Sequence, residues 1–268
     1  FLFLFANDVH PYDALDFKFD TAVETHMALS ERIFNQKAPA AAVRLPSLHI
    51  HQEQYLERIR QVDRSLGQLL SYLEQHFNED EYLVNLYSDH GVSIFNNSTA
   101  AVDVISENST HAAWMMRGAG IPEGMVIPEL TSIADIYPTL GALAGFSAAS
   151  DIDGNLPAVF GGTERDAVCS VSMFPGQTYK LAVRNHGHVL RLETREVLDE
   201  DGTVDFTDAR VGIYPRGHEL DENYAEDSAA LREFFYPRAR DFVREIANNG
   251  EFWPSMRAAR PEWFGGQP

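Results

Sequence analysis

The sequence predicts an α/β domain followed by a small antiparallel α+β subdomain. Three observations lead there. A long amphipathic stretch at residues 51–77 passes through an acidic turn into the apolar segment Tyr82-Leu83-Val84-Asn85-Leu86-Tyr87, the helix–turn–strand order of a parallel or mixed sheet. That segment stops at Ser88-Asp89-His90-Gly91, which puts polar groups at the carboxyl end of a strand, where open α/β sheets bind ligands. Beyond Gly161-Gly162 the rhythm changes to short runs at 167–173, 178–184 and 187–193, divided by Pro175-Gly176 and Asn185-His186-Gly187, as in antiparallel hairpins.

Composition narrows the function classes. With 268 residues and 44% hydrophobic content, the chain can bury a sizeable core. Its formal net charge of −19 argues against partners that present phosphate backbones or anionic lipid. Lysine occurs only at Lys18, Lys37 and Lys180. Cys169 is the single cysteine, so neither an intrachain disulfide nor a thiolate metal cluster can form. No apolar run is long enough to span a bilayer. The opening Phe1-Leu2-Phe3-Leu4-Phe5 has no basic segment before it and reads as a buried strand rather than a signal peptide. A chain that starts inside a strand, without Met, is expected to be a fragment with upstream sequence.

Along the chain, the Phe1–Phe5 strand leads into Ala6-Asn7-Asp8-Val9-His10-Pro11-Tyr12, where Pro11 enforces an extended exit for His10. Residues 18–36 read as a helix and 37–50 as a surface loop, with His49 and His51 exposed. In the 51–77 helix, Tyr55, Ile59, Val62, Leu66, Leu69, Leu70 and Leu73 recur at steps of three and four and form one apolar stripe. After the 82–87 strand comes a polar lip to Asn108, then a strand over 110–116. Pro138 is expected to start a helix near Asp135 or to kink it there, with Asp135 placed to cap it. Asp151 to Gly162 is a turn-rich linker. Residues 211–214 form a last strand, and 227–247 a helix with Phe234, Phe235, Phe242, Val243 and Ile246 inward and a break at Pro237. The tail from Glu251 is irregular.

Four residues are candidates for chemistry. Asp89 and His90 offer a carboxylate oxygen and an imidazole nitrogen side by side, a donor pair suited to a divalent cation. A turn after a strand with a solvated Asp and a capping His is the competing reading. Gly91 is expected to let the backbone turn sharply behind them. His10 suits an anionic oxygen or proton donation, against a loop His packed on Tyr12. His111, at the start of the 110–116 strand, competes with a plain backbone-bonded histidine.

These pieces together resemble the sulfatase family of the alkaline-phosphatase-like superfamily. The resemblance rests on Phe3-Leu4-Phe5 through His10-Pro11-Tyr12, on the 55–73 helix pattern, and on Ser88-Asp89-His90-Gly91. It continues through Thr110-His111 with Arg117-Gly118-Ala119-Gly120-Ile121, where Ala112-Ala113 replaces the usual Val-Pro. Its most specific stretch is Ser132-Ile133-Ala134-Asp135-Ile136-Tyr137-Pro138-Thr139-Leu140, with Ala144-Gly145. Asp153-Gly154-Asn155-Leu156-Pro157 and Asp221-Glu222-Asn223 complete it.

The resemblance covers the family's second half. It implies part of an alkaline-phosphatase-like mixed sheet with flanking helices over residues 1–162 and a small antiparallel C-terminal subdomain with a helix over 163–268. It also implies hydrolysis of sulfate esters, on small molecules or glycans, assisted by a divalent cation, calcium first and manganese, magnesium or zinc as the others. Asp89 and His90 would be metal ligands, and His10 would contact the sulfate or protonate the leaving oxygen. His111 would stand in for a Lys or His that residues 92–109 lack. The nucleophile, a Cys or Ser in a Cys/Ser-x-Pro/Ala-x-Arg segment, is expected upstream of Phe1 with the early paired aspartates. Two metal ligands of a usual four or five imply weak binding and an inactive fragment. A phosphonate or phosphodiester hydrolase and a non-catalytic binding relative stay open as alternatives. So does the compartment, which in the family is often periplasmic, secreted or lysosomal.

Overall fold

Helix α1 spans Leu48–His76 because its apolar stripe is worth more packed than solvated. The computed structural model describes residues 48–91, 104–173, 178–197 and 207–248, apart from the side chains of 48–54, 196–197 and 246–248. The Phe1–Phe5 strand, His10, the 18–36 helix, residues 92–103, most of the acidic 199–208 loop and the tail from Glu251 lie outside them, as do the side chains of His49, His51 and Ile246. Tyr55, Val62, Leu66, Leu69, Leu70 and Leu73 are half-buried as the periodicity requires, whereas Ile59 is exposed.

A single 3-10 turn at Glu79–Glu81 follows, closed by a capping box in which Asn78 N donates to Glu81 Oε2 at 2.8 Å. Strand β1 (Leu83–Tyr87) then pairs antiparallel with β2 (Trp114–Gly118), in a register running from Leu83 opposite Gly118 to Tyr87 opposite Trp114. Leu83 to Leu86 are half-buried rather than fully covered, and Tyr87 is exposed. Gly118, at φ +115°, lies against Tyr82 O, 2.1 Å from where its β-carbon would be.

Between the strands, the structure departs from the expected 110–116 strand. Glu107–Thr110 closes one helical turn, α2, and β2 starts only at Trp114. The polar run Ser106-Glu107-Asn108-Ser109 satisfies its own backbone locally, with Ser109 N and Thr110 N both donating to Ser106 O at 3.0 Å.

Helix α3 (Ile136–Ala144) starts where Pro138 predicts, the proline occupying its first turn, where its missing N–H costs nothing. It ends at Gly145, whose φ of +76° is left-handed. Asp135 does not cap it by side chain. Its carboxylate is buried and accepts from Ser132 N (2.8 Å), Asn155 N (2.7 Å) and the Arg165 guanidinium. The stretch after residue 151 is therefore pinned rather than a free linker. Gly154 and Gly162 make the contact close: β-carbons there would sit 2.1 Å from Ala134 O and 1.7 Å from Leu156 O.

The second sheet holds β3 (Val168–Ser172), β4 (Thr178–Arg184), β5 (His188–Val197) and β6 (Arg210–Pro215) in that order, all antiparallel. The β4–β5 turn forms because Asn185 Oδ1 accepts from Gly187 N and His188 N at 2.9 and 2.7 Å. Strand alternation splits the buried residues between two faces. Leu181, Val183, Leu190 and Ile213 pack with Phe235 and Ala239 of helix α4 (Ala229–Asn248). Ala182, Val189 and Tyr214, on the other face, pack on Ile105 just before α2. Pro237 does not break α4. The buried Phe235 and its half-buried neighbours outweigh the ~3 kcal/mol of an interior proline, and the Arg238 side chain serves Phe234 O at 2.6 Å.

Phe235→Ala should lower stability by about 3–5 kcal/mol, read as the shift of the urea midpoint at constant slope; a change under about 1 kcal/mol would mean that α4 is not held through this ring.

Candidate functional site

Asp89 and His90 follow β1 by two and three residues and emerge at its carboxyl end, with side chains 74% and 61% exposed. Their orientation is set locally. His90 N donates to Asp89 Oδ1 at 2.9 Å, and the carboxylate's other oxygen, Oδ2, lies 3.6 Å from His90 Nε2. His90 Nδ1 is 2.7 Å from Gly91 O. The Gly91 carbonyl can only accept, so a ring bonded to it carries a proton on Nδ1, and Nε2 is the nitrogen nearest Asp89 Oδ2.

That arrangement suits a proton on Nε2, giving an exposed ion pair, or a cation shared by both atoms. The donor set fits a cation. Two ligands about 2.4 Å from a cation and at right angles to it stand about 3.4 Å apart, close to the observed separation. A metal-binding imidazole also usually donates its other N–H to a carbonyl or carboxylate, as His90 does to Gly91 O. Among the described residues, no third His, Cys, Asp or Glu joins the pair to make a metal cluster.

Gly91 is required for a reason other than a sharp turn. Its φ lies outside the left-handed range; what it lacks is space. A β-carbon would be 2.2 Å from Asn108 O and 2.8 Å from His111 O, and Gly91 N donates to Ser109 O at 2.9 Å. Ser88 adds two more ties, its N donating to Ala113 O (3.0 Å) and its Oγ accepting from Ala113 N (2.8 Å). The Asp89–His90 pair is therefore mounted on the 106–113 backbone. His111 belongs to that backbone as the residue closing α2, its N donating to Glu107 O at 2.8 Å, not as the first residue of a strand. Its side chain is exposed. His10 lies outside the described residues.

The 105–107 backbone is in turn gripped from the second sheet. Glu219, buried beyond β6, accepts Glu107 N on Oε1 at 2.6 Å. Arg184, buried at the end of β4, donates to Ile105 O and stands 3.8 Å from Glu219 Oε1. Arg216 holds the Glu107 carboxylate. Burial pulls the Arg184 guanidinium below its ordinary value, opposed by Glu219 and Glu107. Burial also pushes the Glu107 carboxyl up, but Arg216, then Arg184 and His111, outweigh it and leave it below the usual carboxylate value. Sequence reasoning missed this cluster. Arg184 at the buried end of β4, opposite Val189, was its visible signal.

Two other features carry no chemistry. Burial pushes the Cys169 thiol up to about 11, so it stays protonated and is no nucleophile. Ser228-Ala229-Ala230-Leu231-Arg232 spells the expected nucleophile pattern, contrary to its expected absence here. Ser228 Oγ, however, accepts from Leu231 N at 3.2 Å at the start of α4, and Arg232 pairs with Asp227 at 3.2 Å, which makes the string a helix cap. A shallow cleft of about 440 Å³ between the 164–166 segment, the β4–β5 turn and Phe234 shares no residue with the Asp89–His90 edge.

Comparison with known proteins identifies the family and the fold. The family model described as Sulfatase matches residues 1–146. A sulfatase of Formosa agariphila is 27% identical over 158 residues, 58% of this chain and 29% of that protein. The N-acetylgalactosamine-6-sulfatase of Canis lupus familiaris is 31% identical over 174 residues, 59% of this chain and 33% of that protein. A solved structure from work on glycosaminoglycan metabolism by Bacteroides thetaiotaomicron superposes with a TM-score of 0.52 at 17% identity, covering 97% of this chain and 51% of that one. The fold is thus the alkaline-phosphatase-like one. The chain spans about a third or less of the length of these two curated relatives.

Two outcomes follow from the geometry. Gly91→Ala should cost about 1–3 kcal/mol, whereas Gly67→Ala, in α1 with nothing within 4 Å of the added methyl, should stabilise by up to about 1 kcal/mol; urea denaturation compares them. Because the folded Glu107 value is depressed, its ionised form stabilises the fold fully above the unfolded value of about 4.3 and loses that contribution as pH falls through the folded value. Glu107→Gln should therefore be less stable at neutral pH and lose less on acidification below about pH 4, as denaturation midpoints across that range would show.

Proposed function

For a chain that belongs to the sulfatase family, we propose that the Asp89–His90 edge holds a divalent cation used in the hydrolysis of sulfate esters. One observation carries the reading: His90 Nε2 and Asp89 Oδ2 lie 3.6 Å apart, a spacing two ligands of one cation can span, while Nδ1 lies 2.7 Å from Gly91 O. Asp89 supplies negative charge through Oδ2 while Oδ1 stays bonded to His90 N. When bound, the cation polarises a sulfuryl oxygen. Calcium is assigned first on the resemblance to the sulfatase family, with manganese, magnesium or zinc as the others, the imidazole donor suiting the transition metals best. The remaining ligands and the nucleophile are assigned to residues outside the described ones, and binding by the described pair is correspondingly weak.

His10 is assigned to the sulfate or the leaving oxygen, as anion contact or proton donor. His111 is assigned to the same edge, where the backbone contact with Gly91 brings it. Residues 1–162 form the α/β portion and 163–268 the C-terminal subdomain. The substrate class is a sulfate ester of a glycan or small molecule. It is supported by a relative whose name specifies a 6-sulfated N-acetylgalactosamine.

The test is hydrolysis of small aryl sulfate esters and sulfated amino sugars by the whole protein, with its nucleophile segment, in calcium and in chelator. Turnover that disappears in chelator, returns with calcium and falls at least about 100-fold in Asp89→Asn supports the assignment. Turnover indifferent to chelator and to Asp89→Asn contradicts it, and preference for phosphonate or phosphate diesters would move the reading to that branch.

A further inference from the structure

Asp89 and His90 are exposed, and the orientation of the imidazole depends on Gly91 O. Gly91 depends on the α2 turn, through Ser109 O and the two carbonyls that leave its β-carbon no room. The turn depends on two buried side chains of the second sheet. Arg184 takes the carbonyl of Ile105, and Glu219 takes the N–H of Glu107 across 112 residues of sequence. Both ends of a three-residue segment are thus fixed by groups only 5% exposed. Glu219 is itself held, its carbonyl accepting from Arg191 Nη1 at 2.9 Å.

Apolar residues of similar volume could join these layers at least as stably, because burying ions costs several kcal/mol each. What charges add is direction: a carboxylate oxygen 2.6 Å from one N–H constrains the turn's rotation, beside the Arg216 hold on the Glu107 carboxylate and the Ile105 contact with Ala182, Val189 and Tyr214. We propose that Glu219, aided by Arg184, is a positioning residue for the Asp89–His90 pair, setting the spacing of Nε2 and Oδ2 from the C-terminal sheet. The role rests on the cation reading of that pair.

The experiment compares the native chain with Glu219→Ala and Glu219→Gln by residue-resolved amide hydrogen exchange, alongside calcium titration. Glu219→Ala should speed exchange at Gly91 N about tenfold or more, the consequence of losing one charge-assisted hydrogen bond, while amides of Val183 and Leu190 stay protected. Its calcium midpoint should rise by a similar factor, and Glu219→Gln, which keeps an oxygen for Glu107 N, should recover most of both. Gly91 exchange within about twofold of native in a Glu219→Ala chain whose sheet amides remain protected overturns the proposal. Should Glu219→Ala not fold, Glu219→Met, similar in volume but without an acceptor for Glu107 N, carries the test: a threefold or larger rise at Gly91, unmatched in the sheet, supports the role, and Gly91 exchange within about twofold of native overturns it. A native chain that shows no calcium response, with exchange still transmitted to Gly91, overturns the cation reading alone.

Discussion

Two carbonyl oxygens leave no room for a β-carbon at residue 91, and the geometry of the candidate site follows from that. With a glycine there, the loop after β1 can lie directly on the α2 turn, donate Gly91 N to Ser109 O and present Gly91 O to His90 Nδ1. The backbone thereby orients the imidazole, with Nε2 3.6 Å from Oδ2 of the neighbouring carboxylate. A side chain at 91 would push the loop off the turn and leave two exposed polar residues without a common direction.

The same device recurs away from the site. Gly118 on Tyr82 O, Gly154 on Ala134 O and Gly162 on Leu156 O are all places where one backbone strand lies on another's carbonyl. Around Gly154 the contact is reinforced by a buried carboxylate, Asp135, which gathers two backbone N–H groups and Arg165. Around Gly91 the corresponding carboxylate is Glu219, reaching in from the other sheet. In both places charge is buried where it can accept from N–H groups that would otherwise be orphaned, the condition under which such burial is tolerated.

Much of this fold was legible in the sequence because its signals are local. The 3.6-residue stripe of α1, the abrupt stop at Asp89, the Asn185 turn and the proline-set start of α3 all act within a few residues, and the β4–β6 strands fall where the alternation puts them. The adjacency of Asp89 and His90 is likewise a matter of sequence. What escaped was long-range or competitive. The α2 turn formed where β-rich Ala-Trp-Met-Met suggested an earlier strand start, because Ser106 and its neighbours could close a helical turn themselves. Pro237 sits inside α4 because tertiary packing outweighs its local cost. The link from Glu219 to Glu107 spans 112 residues and has no periodic signature. Asp135 read as a cap because its position at the head of a helix looks the same whether the carboxylate turns to that helix or to Asn155 and Arg165.

The central claim is that one backbone contact aims a carboxylate and an imidazole at a common point suited to a cation. The most direct measurement is a calcium titration of the chain followed by amide and histidine-ring chemical shifts. The account predicts that the largest shifts fall on Asp89, His90 and Gly91, with the His90 Nε2 resonance moving and Nδ1 keeping its proton, and that smaller ones reach Ser109 and His111. Shifts confined to other acidic residues, or a His90 ring that ignores calcium, would contradict it.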